Sequence, residues 1–300
     1  IKRLAMSQEK QELQRRLPKW LRVPSPVGPG PDATWRALSG LGLNTVCNEA
    51  RCPNLGECFA RQTATFMILG KACTRQCRFC GVPKGGPDPL DSKEPERVAK
   101  AAEMLGMKHV VITSVTRDDL PDQGALQFLA TIQAVAKALP KAGIEALTPD
   151  FQGKASLVEL VAAAPVRVFA HNLETVPSLY PKVRPGAEFE KSLEVLRAAK
   201  KANPLVFTKT GFMLGLGETL SELFSALKAA KDANVDMVTL GQYLRPSIKQ
   251  LPVERFFPPE AFQEIGKKVK ALGFRSVVAG PLVRSSYRSR QALEQAGGTS

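Results

Sequence analysis

The sequence predicts an α/β protein, built as a partial (β/α)6 barrel of the TIM type with an extension at each end. Short apolar runs alternate with longer amphipathic stretches from Ala64 onwards, which is the pattern of repeated strand and helix units. Such units form a parallel sheet with right-handed crossovers. The length of 300 residues fits one barrel of ordinary size. A doubly wound open sheet is the structural alternative.

The predicted barrel occupies residues 63–273, between an N-terminal extension at 1–62 and a C-terminal extension at 274–300. We place its six strands at 64–69, 109–114, 144–148, 166–171, 205–213 and 237–242. The helices between and after them are expected at 93–105, 124–139, 155–163, 188–201, 220–233 and 259–272. A further apolar run at 276–282 falls in the C-terminal extension.

The first part of the chain, residues 1–31, reads as an arm laid across a body. Residues 6–17 have the spacing of a short amphipathic helix that Pro18 ends. Residues 23–31 contain too much proline and glycine for regular structure. Asp32 fits the N-cap of a helix that runs to about Leu41.

All six cysteines lie within residues 47–80 and form two triplets. Such clustering in a long chain without a secretory signal indicates metal binding in a reducing compartment. The second triplet, Cys73, Cys77 and Cys80, can place three thiolates from one short loop on a four-iron cluster. One iron then stays open to bind a small molecule. A structural zinc loop is the alternative, although zinc usually takes Cys-x2-Cys pairs with a fourth protein ligand.

The first triplet, Cys47, Cys52 and Cys58, has spacings of five and six residues. Two triplets so close in sequence suggest two clusters, because one cluster bound by four cysteines would leave two thiols unused. Each triplet lacks a fourth ligand. His109 and His171 are the only imidazoles in the chain, and each also fits an ordinary polar residue at a strand end.

The charge balance is strongly basic, with 42 Lys and Arg against 28 Asp and Glu and a formal net charge of +14. Such a charge favours an acidic partner, which could be nucleic acid, an anionic membrane surface or a protein. The chain has no RNP-type or KH motif and no separate basic domain, so we expect no nucleic-acid partner. No apolar run approaches the roughly 20 residues that span a bilayer.

Polar and glycine residues follow every predicted strand. Because barrel active sites form at the carboxyl ends of strands, we expect these segments to line one polar cavity. Gly215 and Gly217 give a weak phosphate-binding signal, since the dinucleotide pattern needs a third glycine and follows an early strand. Beyond the cysteine loop, the segments are 114–119, 148–153, 171–175, 215–218 and 241–246.

The spacing of the second triplet resembles that of the radical S-adenosylmethionine superfamily. Both triplets, together with Gly215-Leu216-Gly217-Glu218 and Arg284-Ser285-Ser286-Tyr287, make the chain similar to the lipoyl synthase family from about Pro18 to Tyr287. The last motif usually continues to an alanine two positions after the tyrosine, where this chain has Ser289.

The resemblance implies two 4Fe-4S clusters. Cys73, Cys77 and Cys80 would hold the cluster that binds S-adenosylmethionine. The first triplet in the N-terminal extension, with Ser285 from the C-terminal extension as fourth ligand, would hold an auxiliary cluster. In this family a deoxyadenosyl radical removes hydrogen from carbons 6 and 8 of an octanoyl group on a carrier lysine, and the auxiliary cluster donates the sulfur. Each turnover would use two molecules of S-adenosylmethionine.

The resemblance also suggests contacts for S-adenosylmethionine. Phe79 lies inside the loop that carries Cys73, Cys77 and Cys80, which we call the cluster loop, and its backbone or ring could contact the adenine. Asn172 and Glu174, after the fourth strand, are candidates for the ribose or the methionine. Many superfamily members hold the methionine amine with a Gly-Glu pair after the second strand, where this chain has residues 116–118. Weaker candidates are Ser114, Arg184 and Lys209.

The implied partners are octanoylated lipoyl carrier domains, which are E2 subunits of 2-oxoacid dehydrogenases and the H protein of glycine cleavage, together with an electron donor. The positive charge fits a carrier with an acidic surface. We expect a bacterial cytoplasmic location, or an organelle if a transit peptide has been removed. The rival interpretations are a tRNA methylthiotransferase, a relative of biotin synthase, a non-catalytic iron–sulfur carrier and a nucleic-acid-binding protein.

Overall fold

The computed structural model describes residues 17–23 and 29–298. Seven parallel strands form one sheet in sequential order, so each strand pairs with the next one along the chain. Within the described residues β1 and β7 do not pair with each other, and the barrel is therefore partial. The strands are β1 (Thr65–Ile68), β2 (His109–Ser114), β3 (Gly143–Leu147), β4 (Val168–Ala170), β5 (Phe207–Leu214), β6 (Met237–Gln242) and β7 (Ser276–Gly280).

The sheet confirms the six predicted strands and adds a seventh. β7 comes from the apolar run at 276–282, which the sequence analysis assigned to the C-terminal extension, and it pairs in register with β6. Ser276 of this edge strand is buried, while the residues after it are only partly buried. A parallel strand that is buried on both faces usually has a continuous apolar sequence. Because β7 is only partly buried, this signal is weak in its sequence.

The six predicted crossover helices are also present, each within three residues of its predicted bounds. Thr219 and Glu222 show why one of them starts where it does. The Thr219 hydroxyl accepts from the Glu222 amide and the Glu222 carboxylate accepts from the Thr219 amide, which is a capping box. The helices are α4 (Glu94–Met104), α5 (Ala125–Ala138), α6 (Ala155–Ala162), α8 (Phe189–Ala202), α9 (Leu220–Asp232) and α10 (Pro259–Lys270).

The N-terminal extension contains a short 3-10 turn at Lys19–Leu21 and three helices, which are α1 (Pro29–Gly40), α2 (Val46–Glu49) and α3 (Leu55–Ala60). The prediction that Asp32 caps the first helix is wrong. This helix begins three residues earlier, with Asp32 in its first turn, where a carboxylate still favours the helix dipole. The predicted helix at 6–17 lies almost wholly outside the described residues, as does most of the proline-rich stretch.

The remaining elements close the two ends of the barrel. α7 (Tyr180–Val183) follows a 3-10 turn at Pro177–Leu179, and another 3-10 turn spans Phe151–Gly153; all three come after strand ends. The last helix, α11 (Ser289–Gln295), packs Leu293 against Val168 and Met237 near the amino ends of the strands. No helix in the described ranges is long and apolar enough to cross a membrane.

Candidate active site

The second cysteine triplet lies in the loop that follows β1. The Cys73 amide donates to the Pro83 carbonyl at 2.9 Å, and the Thr116 amide approaches the Cys73 Sγ at 3.4 Å. Burial raises the pKa of Cys77 and of Cys80, and the charge of Cys73 raises both values further. The three sulfurs therefore lie within electrostatic range of one another, and cluster binding at this loop would release their protons.

An arginine between these cysteines ties the loop to two strand ends. Arg75 Nη2 donates to Asp118 Oδ1 at 2.9 Å and to Asp150 Oδ1 at 3.0 Å. Thr74 Oγ1 also donates to the Asp118 carboxylate. Arg75 therefore sits between two carboxylates from separate loops, which gives the cluster loop a defined position without metal.

Residues 117–119, which overlap the segment where a Gly-Glu pair was expected, make hydrogen bonds and ion pairs within the protein. Asp118 receives Arg75, while Arg117 is buried, pairs with Asp119 at 2.9 Å and donates to the carbonyls of Leu69 and Asp88. These contacts occupy the charged groups of residues 117–119.

Several buried polar atoms at the carboxyl ends of the strands have no hydrogen-bond partner. They belong to the last residue of β2 and to residues 171–184, which come after β4 in the chain. Because buried polar atoms normally have partners, this group fits the lining of a site for a polar ligand. The atoms are Ser114 Oγ, His171 Nε2, Asn172 Oδ1, Thr175 Oγ1 and Arg184 Nε.

His171 presents a neutral imidazole in this group. Its Nδ1 lies 2.9 Å from the Thr148 carbonyl, an oxygen that can only accept, so Nδ1 carries the proton. Burial, with help from Arg184, lowers the pKa of His171 to about 4. The unpartnered Nε2 is therefore an acceptor at neutral pH. His109, by contrast, opens β2 at the opposite end of the barrel.

Glu174 follows β4 and lies within electrostatic range of Cys80 and of Arg284. Its backbone has a left-handed φ of 68°, and such non-glycine residues carry about 1–3 kcal/mol of strain and cluster at functional sites. The Asn172 amide donates to its carboxylate at 3.0 Å. Burial raises the pKa of Glu174, while Arg184 and Arg284 oppose that rise. A carboxylate near both arginines is placed to contact a ligand.

Two further predicted contacts have different outcomes. Phe79 packs with Val183, Leu216 and Tyr243, so the cluster loop extends from β1 across to the ends of β5 and β6. Lys209 is not at the cavity. It is the third residue of β5 and its Nζ pairs with Glu145 at 2.9 Å near the amino end of the barrel, which overturns its assignment as a cofactor contact.

The glycines after β5 do not form a phosphate loop. The Glu218 carboxylate accepts from the amides of Gly215 and Leu216, at 2.6 and 2.9 Å, so the donors that would hold a phosphate are occupied. Gly215 has a φ of 100°, and a Cβ there would lie 2.3 Å from the Arg255 carbonyl. The glycine is required by a close turn rather than by a ligand.

The first triplet is assembled by two short helices. Cys47 lies in α2, Cys52 follows it, and Cys58 lies in α3. Burial raises the pKa of Cys47 to about 11 and of Cys58 to about 12, and the thiols affect one another. Burial also raises the pKa of Cys52, which the nearby Arg284 guanidinium partly offsets. These three sulfurs form a second group of neighbouring, protonated thiols.

The C-terminal segment 284–288 docks onto this triplet. Asn54 Nδ2 donates to the Leu282 carbonyl at 2.7 Å, and the Tyr287 hydroxyl donates to Glu57 at 3.0 Å. Both contacts bridge more than 200 residues of sequence. The motif near the end of the chain is therefore held beside the cysteines of the N-terminal extension.

Of the two serines in this segment, Ser286 has described contacts beside the cysteines. Thr65 Oγ1 donates to Ser286 Oγ at 2.8 Å, and Thr65 also hydrogen-bonds with Cys47. Ser286 and Cys58 line one cavity of about 530 Å³. No described hydrogen bond joins the Ser285 side chain to the triplet, so its role stays a prediction.

Both triplets fit clusters better than single ions. Within the described ranges, no three histidine, cysteine, aspartate or glutamate side chains converge closely enough to bind one metal ion. A four-iron cluster makes a different demand, because each thiolate binds a different iron. Three coupled thiols beside unpartnered polar atoms, as at the second triplet, suit a cluster with a bound small molecule.

Two family models match the chain. The radical SAM superfamily matches residues 67–230, and the N-terminal domain of lipoyl synthase of the radical SAM family matches residues 3–52. The first match includes the whole of the second cysteine triplet, and the second includes Cys47 and Cys52. The fold and the cysteine loop thus define a radical S-adenosylmethionine enzyme.

Curated relatives resolve the particular family. The lipoyl synthase of Caldanaerobacter subterraneus is 51% identical over 94% of this chain and 99% of its own length. The lipoyl synthase of Thermus thermophilus is 50% identical over 99% of this chain and 92% of its own length. The lipoyl synthase of Rubrobacter xylanophilus is 50% identical over 93% of this chain and 87% of its own length. The chain belongs to the lipoyl synthase family.

Solved structures share the fold at low identity. HydG, a maturase of the [FeFe]-hydrogenase, has a TM-score of 0.57 with 10% identity, over 98% of this chain and 69% of its own. SuiB of Streptococcus suis, bound to S-adenosylmethionine, has a TM-score of 0.55 with 13% identity, over 72% of this chain. The aligned part is about half of SuiB, 51% of its chain. These likenesses support the partial barrel alone.

Sequence reasoning missed Arg75 as the residue that positions the cluster loop. Its carboxylate partners lie 43 and 75 residues further along the chain, where the sequence shows only acidic residues after strands. A signal was nevertheless present, because Asp118 and Asp150 both follow strands whose carboxyl ends meet the loop.

Proposed function

We propose that the chain inserts two sulfur atoms, at carbons 6 and 8, into an octanoyl group carried on a protein lysine and so forms the lipoyl group. The observation that carries this proposal is the presence of two separate cysteine triplets in a chain with the radical S-adenosylmethionine fold. One triplet lies on a loop fixed at the carboxyl ends of the strands. The other is covered by a C-terminal segment that offers a serine hydroxyl.

Cys73, Cys77 and Cys80 would hold the 4Fe-4S cluster that binds S-adenosylmethionine. When bound, this pair supplies a radical able to remove hydrogen from a saturated carbon, which acid–base side chains cannot do. Arg75 positions the loop through Asp118 and Asp150.

The cofactor's polar groups would be held by the residues with unpartnered atoms. Ser114 offers a hydroxyl, Arg184 offers a guanidinium N–H, and Asn172 offers an amide oxygen. Glu174 is the carboxylate placed to accept from the methionine amine, the role that residues 116–118 do not fill. Phe79 stays the candidate for the adenine.

Cys47, Cys52 and Cys58, with the Ser285 oxygen as fourth ligand, would hold an auxiliary 4Fe-4S cluster, which would supply the sulfur. Two sulfur insertions need two hydrogen abstractions, and hence two molecules of S-adenosylmethionine per turnover. The chain then divides into an auxiliary-cluster extension at 1–62, a barrel at 63–273 and a C-terminal extension at 274–300 that provides both the serine and β7.

The substrates would be octanoylated carrier domains, namely E2 subunits of 2-oxoacid dehydrogenases and the glycine cleavage H protein. The net charge of +14 supports encounter with an acidic carrier. An electron donor is also required. The named relatives are bacterial, which favours the bacterial cytoplasm. The sequence alternative is an organelle after removal of a transit peptide.

Ser285→Ala is expected to speed iron loss from the first triplet by at least about tenfold, because it removes the oxygen proposed as the fourth ligand. Ser286→Ala is the matched control, because it removes the neighbouring hydroxyl, which accepts from Thr65 Oγ1, and it should lose iron at nearly the parent rate. Both are compared in a background without Cys73, Cys77 and Cys80, by following iron capture by a chelator. The reverse order would support Ser286 as the ligand instead, and equal rates for both variants and the parent would argue against a serine ligand.

The proposed function is tested on the product. The chain is reconstituted with iron and sulfide without oxygen, and given S-adenosylmethionine, a reductant and an octanoyl-lysine peptide. Mass spectrometry should find two sulfur atoms added to the peptide. Cleavage of the cofactor with an unmodified peptide would retain the radical enzyme and overturn the substrate, leaving the other sulfur-inserting radical enzymes as the better account.

A further inference from the structure

A buried polar cluster lies inside the barrel, away from the candidate active site. Glu145 of β3 is 0% exposed and Lys209 of β5 is 1% exposed. Lys209 Nζ lies 2.9 and 3.0 Å from the two Glu145 oxygens. His109 Nε2 is 3.6 Å from the same carboxylate. The proposed chemistry uses none of these groups.

Ser289 completes this cluster from the C-terminal extension. Its hydroxyl donates to Glu145 Oε2 at 2.6 Å and accepts from Lys209 Nζ at 2.7 Å. Ser289 is itself buried, at 4% exposed, and is the first residue of α11. A buried ion pair needs its remaining donors and acceptors satisfied, and the serine does this for both partners.

The same serine anchors one end of segment 284–288. Ser286 lies three residues before Ser289, so their Cα atoms are at most about 11 Å apart along the chain. Between them Tyr287 and Arg288 are both bonded to Glu57, and Arg288 has a left-handed φ of 50°. The segment is therefore a short turn, held by the cysteine extension on one side and by the barrel interior on the other.

We propose that Ser289, which stands where the family motif usually has alanine, is a positioning residue particular to this chain. Its hydroxyl, held between Glu145 and Lys209, sets where the serines of segment 284–288 stand relative to Cys47, Cys52 and Cys58. This inference rests on the proposed auxiliary cluster. Alanine at this position would leave the Glu145 and Lys209 pair intact but detach the turn from it. Leu293 would still hold α11 in the barrel, so the fold would persist while the turn loosened.

The first measurement uses the metal-free chain and compares three variants by amide hydrogen exchange. Ser289→Ala should speed exchange in segment 284–288 by about tenfold, the effect of losing hydrogen bonds to charged groups, with β2 to β6 unchanged. Ser289→Thr keeps the hydroxyl and should restore slow exchange. Thr131→Ala is the matched control, because it also removes a buried hydroxyl hydrogen bond, at 2.7 Å to Gln127, but in α5.

The second measurement follows iron at the first triplet, in the background without Cys73, Cys77 and Cys80. Ser289→Ala should release iron to a chelator about tenfold faster than its parent, a cost typical of lost support around a metal site, while Thr131→Ala should not. Unchanged exchange and unchanged iron release in Ser289→Ala would overturn the positioning role. If the parent holds no cluster, the proposed function fails instead, and the two failures are thereby distinguished.

Discussion

Replacing Cys52 by alanine should abolish sulfur insertion while cleavage of S-adenosylmethionine continues. Cys52 belongs to the triplet covered by segment 284–288, and its thiol lies beside Arg284 rather than in the loop after β1. Loss of one of three thiolates should remove the support of the proposed auxiliary cluster, whereas the loop that holds Cys73, Cys77 and Cys80 should keep its contacts. We expect product to fall by at least about 10³-fold, since that cluster is the proposed source of the sulfur.

The measurement is a paired assay of one reaction mixture, with deoxyadenosine as the readout of cofactor cleavage and peptide mass as the readout of sulfur insertion. Asn48→Ala is the control, because Asn48 is exposed, lies beside Cys47 in α2 and its side-chain amide donates to the neighbouring Glu49. It should support both readouts. Sulfur insertion that survives in Cys52→Ala would contradict the donor role of the first triplet.

Replacing Cys77 by alanine should abolish cofactor cleavage itself. Cys77 lies in the loop fixed by Arg75, and its thiol is within electrostatic range of Arg184 in the cavity lining. Without three thiolates the loop cannot support a cluster with an open iron, so both deoxyadenosine and product should fall by at least about 10³-fold. The first triplet should keep its iron.

Gln76→Ala is the matched control for Cys77→Ala. Gln76 is exposed in the same loop and lies between Arg75 and Cys77. Deoxyadenosine should form at nearly the wild-type rate in this variant. Cleavage of S-adenosylmethionine that persists in Cys77→Ala would contradict the role of Cys77 as a cluster ligand. Cleavage that disappears equally in Gln76→Ala would show that the loop matters for stability and not as a cluster ligand set.

Much of the fold could be predicted because local patterns determine it. Strands β2 and β6 have their predicted bounds, since both are continuous apolar runs bounded by polar residues. Helix α9 begins at its predicted residue because Thr219 and Glu222 form a capping box within four residues. β7 was missed as a strand because it is only partly buried and no predicted helix follows it.

The site was predicted in part. The cysteine triplets were visible because ligand spacing within a loop is a local property. The contacts that position them are not local. Thr65 and Ser286 are 221 residues apart, and Arg75 and Asp150 are 75 apart. Lys209 was misassigned for the same reason, since its partner Glu145 is on another strand, 64 residues away.

The central claim is that two triplets bind two separate clusters, and iron and sulfide content per chain tests it most directly. Reconstituted wild-type protein should hold about eight irons, and each of two variants that lack one triplet should hold about four, since one cluster is lost in each. Deoxyadenosine should form only in the variant that keeps Cys73, Cys77 and Cys80. About four irons in the wild type, or loss of all iron on removing one triplet, would contradict two independent cluster sites.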